Sequence, residues 1–194
     1  EQINLPANSI LQEHHLSSVE QLIEKARIAQ QIYENYDQGA VDEVVTAVAW
    51  ALIEPGRNRE LSQMAVETTG LGKIEDKILK NERKTLGLLR DLRSAKSVGV
   101  ISEDEELGIT EIARPVGVVA SVTPSTNPVA TPTNNTLNAL KGRNAIIIAP
   151  SPAGEKVCSR LLQYFHEELR RIGAPVDLIQ QLPSPMDKIR TLEL

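Results

Sequence analysis

The sequence predicts an α/β protein in which a layer of helices precedes part of a parallel sheet. Two observations support this fold class. In the first half of the chain, apolar residues recur at the i, i+3, i+4, i+7 spacing of amphipathic helices. In the second half, short apolar runs alternate with helical segments, and short turns join them. Strands and helices that alternate in this way form a parallel sheet with right-handed connections.

The first half is predicted to contain an arm and four helices. Residues 1–17 lack a sustained period and are predicted to be the arm. Capping and helix-breaking residues divide the stretch that follows. The predicted boundaries are Ser18 at the first N-terminus, a break at Gly39, an end at Pro55-Gly56, an N-cap at Asn58, a stop at Gly70, and a fourth helix over residues 74–92 that buries Ile78, Leu86, Leu89 and Leu92.

The second half of the sequence is predicted to contain five strands. Residues 98–101 and 108–112 are short segments on either side of an acidic turn, and the alternation in the second indicates a half-exposed strand. Residues 116–122 and 145–149 are nearly continuous apolar runs, which are typical of parallel strands buried on both faces. Residues 176–180 are predicted to be the next strand. Glycines are expected to end the intervening helices, at Gly142 and Gly173.

The composition restricts the classes of function. The chain has 194 residues, of which 41% are hydrophobic and 24% charged, as in soluble globular proteins. A formal net charge of −5 argues against a nucleic-acid or membrane-surface partner, and an aromatic content of 3% argues against a base-stacking platform. No apolar run approaches the ~20 residues of a membrane span, and no secretory signal is visible. We therefore expect a cytoplasmic protein.

Two turns at the ends of the apolar strands form the candidate ligand site. In an open parallel sheet, ligands bind outside the carboxyl ends of the strands. Residues 123–128 and 150–154 follow two such strands and offer hydroxyls and backbone N–H groups to an anion. Neither turn is a G-x-G-x-x-G loop, and the chain has no P-loop. The residues by themselves indicate a parallel α/β domain with a candidate dinucleotide site.

Several candidate residues also have a structural interpretation. Asn is a favoured N-cap and Pro is favoured at the first helical position, so Asn127-Pro128 can simply begin a helix. Ser151, which lies between two prolines, can be a turn residue. The single cysteine, Cys158, excludes a disulfide framework, and its apolar helical surroundings indicate a buried packing residue. His166 on the same helix is interpreted as a surface residue, and with His14 and His15 in the arm no metal site is predicted.

Six segments share the pattern of one family. They are residues 64–72, residues 75–77 with Lys80-Asn81, residues 114–120, the Thr-Pro-Ser-Thr-Asn-Pro turn at 123–128, residues 139–147 and the Pro-Ser-Pro turn at 150–152. Together they resemble the CoA-acylating aldehyde dehydrogenase family, including the dehydrogenase half of bifunctional aldehyde/alcohol dehydrogenases, over about residues 17–194. The turn at 123–128 is the most specific segment, because hydrolytic aldehyde dehydrogenases carry Trp-Asn there.

The resemblance implies a Rossmann-like, aldehyde dehydrogenase-like coenzyme domain that is truncated. Residues 18–194 would hold the N-terminal helices and its first βαβαβ portion, without the catalytic domain. The implied activity is NAD-dependent oxidation of a short-chain aldehyde to its acyl-CoA, with coenzyme A as co-substrate. The nucleophilic cysteine of the family lies further downstream, so Cys158 is not expected to replace it and this fragment alone is expected to be inactive.

The resemblance also assigns roles to the two turns. Asn127 would donate a hydrogen bond from its side-chain amide to the reaction's oxyanion, a role that competes with helix capping. Thr123, Pro124, Ser125 and Thr126 would line the nicotinamide-ribose side of the coenzyme. Pro150, Ser151 and Pro152 would line the adenosine ribose of NAD, and of CoA in turn. The family usually has His at the position of Ser151, which leaves NAD and NADP both open.

Several alternatives stay open at this point. The substrate could be succinate semialdehyde or sulfoacetaldehyde, because substrate selectivity lies largely in the rest of the family's chain. A non-catalytic family member that acts as a scaffold subunit is a further alternative. The family implies a homo-oligomer, and the arm, which carries Leu5, Ile10 and Leu11, could dock to a bacterial microcompartment shell.

Overall fold

The computed structural model describes residues 18–186 and 188–194, and these contain seven α-helices and five β-strands. The arm predicted over residues 1–17 lies outside the described residues. The predicted layer of four helices is confirmed, including both ends of the fourth. It consists of α1 (Ser18–Tyr33), α2 (Gln38–Ile53), α3 (Pro55–Thr69) and α4 (Ile74–Leu92).

Two predicted boundaries in this layer are wrong. Gly39 lies in the first turn of α2, because Asp37 caps that helix by accepting a hydrogen bond from the Ala40 N–H at 2.8 Å. Pro55 occupies the first position of α3, where its fixed φ suits the helix and its missing N–H costs nothing. The carboxylate of Glu54 therefore caps α3 in place of the predicted N-cap, Asn58, which lies fully buried inside the helix.

The buried face of α4 also differs from the prediction. Leu86 is 51% exposed, whereas Lys77, Asn81 and Thr85 are buried. The reason is a hydrogen-bonded cluster between α3 and α4, in which Asn81 Nδ2 donates to Asn58 Oδ1 at 2.9 Å. Because polar side chains fill this interface, apolar periodicity alone assigns the wrong residues to it.

The first two strands form a separate antiparallel hairpin. β1 (Gly99–Asp104) pairs with β2 (Ile109–Ala113) in a two-stranded sheet. The predicted acidic turn is wrong for residues 102–104, which continue β1. The predicted half-exposure of β2 is also wrong, because four of its five residues are exposed.

The remaining strands form the predicted parallel sheet, in the order β3-β4-β5. In β3 and β4, Val118 pairs with Ala145 and Thr123 pairs with Pro150, so the carboxyl ends of both strands finish level. At the other end, Asn144 Oδ1 accepts the N–H groups of Val116 and Gly117 at 2.7 and 3.0 Å. The elements are β3 (Val118–Thr123), α5 (Ala130–Lys141), β4 (Ala145–Pro150), α6 (Glu155–Arg171), β5 (Ile179–Gln181) and α7 (Lys188–Glu193).

The sheet differs from the prediction at both of its edges. β4 is buried along its whole length, as predicted. Among the described strands β3 lies at an edge of the sheet, and Val122 is 67% exposed there, so the predicted burial of β3 on both faces is wrong for these residues. β5 begins later than predicted, because a short 3-10 helix occupies Val176–Leu178.

Helix α1 packs against the parallel sheet, as do α5 and α6. Buried hydrogen bonds fix its position. The Tyr33 hydroxyl donates to the Leu140 carbonyl at 2.9 Å, and Gln30 Nε2 donates to the Arg143 carbonyl at 3.2 Å. α2 packs on α5 and α6 and forms a further layer with α3 and α4. None of the helices in the described ranges combines the length and apolar character that a bilayer crossing requires.

Tyr33→Phe is expected to lower the free energy of unfolding by about 1 kcal/mol, because it removes one buried hydrogen bond. Urea denaturation followed by circular dichroism measures the change. Tyr36→Phe is the matched control, since the Tyr36 hydroxyl makes no hydrogen bond within the described ranges while its ring packs edge-on against Tyr33. An equal loss in both variants would contradict the role of the Tyr33 hydroxyl.

Candidate functional site

The two predicted turns lie side by side at the carboxyl edge of the parallel sheet. The Ser151 N–H donates to the Thr123 carbonyl at 3.0 Å and so extends the β3–β4 pairing into the turns. Further on, a methyl group at Gly154 would lie 3.0 Å from Cβ of Pro128. This is tighter than an ordinary carbon–carbon contact, so glycine allows the second turn to approach the first.

A cleft of about 610 Å³ opens at this edge. Its wall is mostly apolar, and one polar group in it is unusual: Thr123 Oγ1 is buried and has no hydrogen-bond partner among the described residues. A buried hydroxyl without a partner is costly, and this one belongs to a residue that lines the cleft. The lining includes Thr123, Pro150, Ser151, Pro152, Met186 and Leu192.

The other predicted coenzyme residues have different positions. Pro124 and Thr126 are exposed and Ser125 is half-buried, and none of the three lines the cleft. The Ser151 side chain accepts a hydrogen bond from the Gly154 N–H at 3.2 Å and caps the short 3-10 helix Pro152–Gly154. Ser151 is therefore the turn residue that its structural interpretation predicted, and its hydroxyl hydrogen is still available to a ligand.

Asn127 is half-buried in the first turn and does not cap α5. The N-cap position belongs to Val129, and no side chain caps this helix. Instead, Asn127 Oδ1 accepts a hydrogen bond from Lys80 Nζ of α4 at 2.5 Å. Nδ2 makes no hydrogen bond to any residue in the described ranges. The structural interpretation of Asn127 as a cap is therefore wrong, and its amide N–H groups are available as donors.

Two lysines of α4 make the surroundings of Asn127 electropositive. Lys77 and Lys80 lie one turn apart, and neither forms an ion pair with a described carboxylate. Lys77 is buried, and both this burial and the neighbouring charge of Lys80 lower its pKa. Sequence reasoning gave these lysines no role, although the segment that contains them was part of the family pattern. Two lysines at i and i+3 give no indication in the sequence of what they contact, because Asn127 comes near them only when α4 packs on α5.

Cys158 is a packing residue, as predicted. It is fully buried in α6, and burial raises the pKa of its thiol to about 12. The prediction for His166 is wrong, since it is half-buried and its Nε2–H donates to the Ile179 carbonyl at 2.8 Å. Over the described ranges no three His, Cys, Asp or Glu side chains converge as metal ligands would, while His14 and His15 lie outside those ranges.

Comparison with known proteins relates this geometry to one family. The family model described as "Aldehyde dehydrogenase family" matches residues 10–191. The chain is 55% identical to the sulfoacetaldehyde dehydrogenase (acylating) of Cupriavidus necator, over 91% of this chain and 36% of that protein. It is 40% identical to the succinate-semialdehyde dehydrogenase (acetylating) of Clostridium kluyveri, over 87% of this chain and 37% of that protein. The chain thus spans little more than a third of these relatives.

Solved structures agree with this relationship. An acetylating aldehyde dehydrogenase from Geobacillus thermoglucosidasius superposes with a TM-score of 0.83 at 38% identity, over 89% of this chain and 37% of that one. The propionaldehyde dehydrogenase of Rhodopseudomonas palustris with bound propionyl-CoA superposes with a TM-score of 0.77 at 25% identity, over 92% of this chain and 38% of that one. An engineered glycolyl-CoA reductase with bound NADP+ superposes with a TM-score of 0.76 at 25% identity, over 91% of this chain and 39% of that one. The truncated α/β fold class is confirmed.

Gly154→Ala is expected to lower the free energy of unfolding by about 1–3 kcal/mol, because the added methyl group would force the two turns apart. Gly87→Ala is the control, since a methyl group there meets nothing within 4 Å. In the middle of α4 this change should stabilise the protein by up to about 1 kcal/mol. Urea denaturation measures both, and a neutral Gly154→Ala would contradict the close approach.

Cys158 is expected to resist alkylation in the folded protein, because the thiolate is the reactive form and a buried thiol with a pKa of about 12 stays protonated. Iodoacetamide labelling in buffer and in urea, read by mass spectrometry of the peptide that contains Cys158, measures this. Labelling should require urea. Rapid labelling of the folded protein would contradict the assignment as a packing residue.

Proposed function

The chain belongs to the aldehyde dehydrogenase family, and we propose that it forms the N-terminal part of a CoA-acylating aldehyde dehydrogenase. The overall reaction converts an aldehyde, coenzyme A and an oxidised nicotinamide cofactor into an acyl-CoA, the reduced cofactor and a proton. A cysteine thiolate supplied by the rest of the enzyme would add to the aldehyde carbonyl. Loss of a hydride from that carbon to the oxidised cofactor would leave a thioester, from which the CoA thiol would take the acyl group and release the cysteine thiolate. The residues of this chain bind and orient the reactants.

The observation that carries the proposal is the state of the Asn127 amide. Addition of a thiolate to a carbonyl places a negative charge on the carbonyl oxygen, and a preorganised N–H donor stabilises that charge. The Oδ1 atom of Asn127 is occupied by Lys80, whereas Nδ2 has no partner among the described residues. Asn127 therefore has the free donor that the oxyanion requires, in an electropositive environment.

The cleft beside Thr123 fits a nicotinamide cofactor. Its apolar wall suits the faces of flat rings, and the unpartnered Thr123 hydroxyl suits a polar group of the same ligand. Pro150, Ser151 and Pro152 would hold the adenosine ribose, and the Ser151 hydroxyl can donate to it. When bound, the cofactor supplies the hydride acceptor. NAD and NADP are both proposed, since one related structure holds NADP+.

Among short-chain aldehydes we propose sulfoacetaldehyde as the substrate to test first. The identity of 55% to a sulfoacetaldehyde dehydrogenase exceeds the 40% to a succinate-semialdehyde dehydrogenase. Acetaldehyde is the uncharged reference. A wild-type enzyme that is inactive with sulfoacetaldehyde, succinate semialdehyde and acetaldehyde would instead favour the alternative of a non-catalytic scaffold subunit.

Assembly of the enzyme into a homo-oligomer is also part of the proposal. The β1–β2 hairpin supports it, because an isolated two-stranded sheet is marginally stable and this one exposes Val100, Ile109 and Ile112. We further propose a cytoplasmic location. Docking to a microcompartment shell would depend on residues 1–17, outside the described residues.

Asn127→Ala in the complete enzyme is expected to lower kcat by about 10²–10³-fold with sulfoacetaldehyde, because one oxyanion donor is lost. Asn127→Asp should lose as much activity, since a carboxylate can still accept from Lys80 but has no N–H to donate. CoA-dependent formation of reduced cofactor measures turnover, and thermal denaturation checks the fold. Full turnover in Asn127→Asp would contradict the role of the amide N–H.

A further inference from the structure

We infer that Lys80 is a positioning residue, which holds the Asn127 side chain so that its N–H groups face the reacting oxygen. The inference rests on the proposed function, in which Asn127 is the oxyanion donor. It is carried by the contact between Lys80 Nζ and Asn127 Oδ1, by the way α4 is fixed, and by the unpaired charge of Lys80.

The contact between the two side chains selects one orientation of the amide. An asparagine amide has a donor end and an acceptor end of nearly equal size, and a half-turn exchanges them. The ammonium of Lys80 can only donate hydrogen bonds, so it can bond to Oδ1 and not to Nδ2. The contact therefore excludes the exchanged orientation of the amide. A cation on the oxygen also polarises the amide, which makes the opposite N–H groups stronger donors.

The backbone of α4 is held firmly enough for this task. Asn81, the next residue, donates from Nδ2 to Asn58 Oδ1 at 2.9 Å and to Ser62 Oγ at 3.2 Å. Asn58 Nδ2 in turn donates to the Ile78 carbonyl at 3.1 Å. These buried bonds link α3 to α4 on both sides of Lys80. Lys80 therefore reaches Asn127 from a fixed helix and not from a mobile surface segment.

The contact with Asn127 is the one hydrogen bond of the Lys80 ammonium among the residues that the structure describes. Lys80 Nζ forms no ion pair with a carboxylate in the described ranges, and its hydrogen-bond partner there is Asn127. A hydrogen bond from the Lys80 ammonium to the neutral Asn127 amide leaves the positive charge of Lys80 without an opposite charge. That positive charge would stabilise a negative charge that develops on the far side of the amide. A role in the reaction explains the arrangement better than a role in stability.

A double-mutant cycle in the complete enzyme tests the inference, with Lys80→Met, Asn127→Ala and the double variant. Lys80→Met is expected to lower kcat by about 10–100-fold, the loss typical of residues that orient a functional group. KM for the aldehyde should change little, because the oxyanion exists only during the reaction. In the Asn127→Ala background, Lys80→Met should have almost no further effect on kcat, since there is no amide left to orient.

Two further variants separate positioning from folding. Lys84→Met removes an exposed lysine one turn along the same helix and should keep wild-type kcat and melting temperature. Lys80→Arg keeps a cationic donor and should recover part of the activity lost in Lys80→Met. Additive losses in the cycle, or wild-type kcat in Lys80→Met, would overturn the inference. If Asn127→Ala itself keeps full kcat, the proposed function fails instead, so the two failures are distinguishable.

Discussion

The level register of β3 and β4 is the constraint on which the rest of the site depends. Thr123 pairs with Pro150 at the last position of the ladder, so both turns leave the sheet at the same height. Asn144 closes the other end by binding the N–H groups that precede β3. A slip of one residue would turn every side chain of β3 to the opposite face and move Thr123 out of the cleft. α1, α5 and α6 keep that register by covering the sheet.

Most of the fold was predictable from the sequence, because apolar periodicity follows its helices and strands and glycine or proline lies at several of their ends. α4 was predicted at both ends from the extent of its helical pattern, although its caps are Lys73 and Arg93. The errors occur where periodicity carries no information about neighbours. The fully buried positions of α4 are polar, so Leu86 was placed inside and Asn81 outside the predicted stripe, although the predicted Leu89 and Leu92 do pack against the core. The apolar residues of β3 indicate a central strand, whereas the order of the strands that the structure describes places it at an edge.

The candidate site was predictable in part. Parallel topology alone places both turns at one edge, and the turn at 123–128 provided the resemblance. Which side chains line the cleft was not predictable, since Pro124 and Thr126 are exposed and do not line it, while Met186 and Leu192 are distant in sequence and do. The state of the Asn127 amide was also hidden, because its partner lies 47 residues earlier in the chain. A contact of that sequence separation leaves no local pattern.

The buried cluster of Asn58, Ser62 and Asn81 has an evolutionary consequence. The three side chains are hydrogen-bonded to one another and, through Asn58 Nδ2, to the Ile78 carbonyl. Replacing one member therefore leaves buried polar atoms without partners, whereas replacing all three with apolar side chains need not. A rotation of α4 by one residue, about 100°, would carry Lys80 away from Asn127. The three positions should therefore change together in related sequences, and lineages that repack them as an apolar seam should have found another way to hold the asparagine.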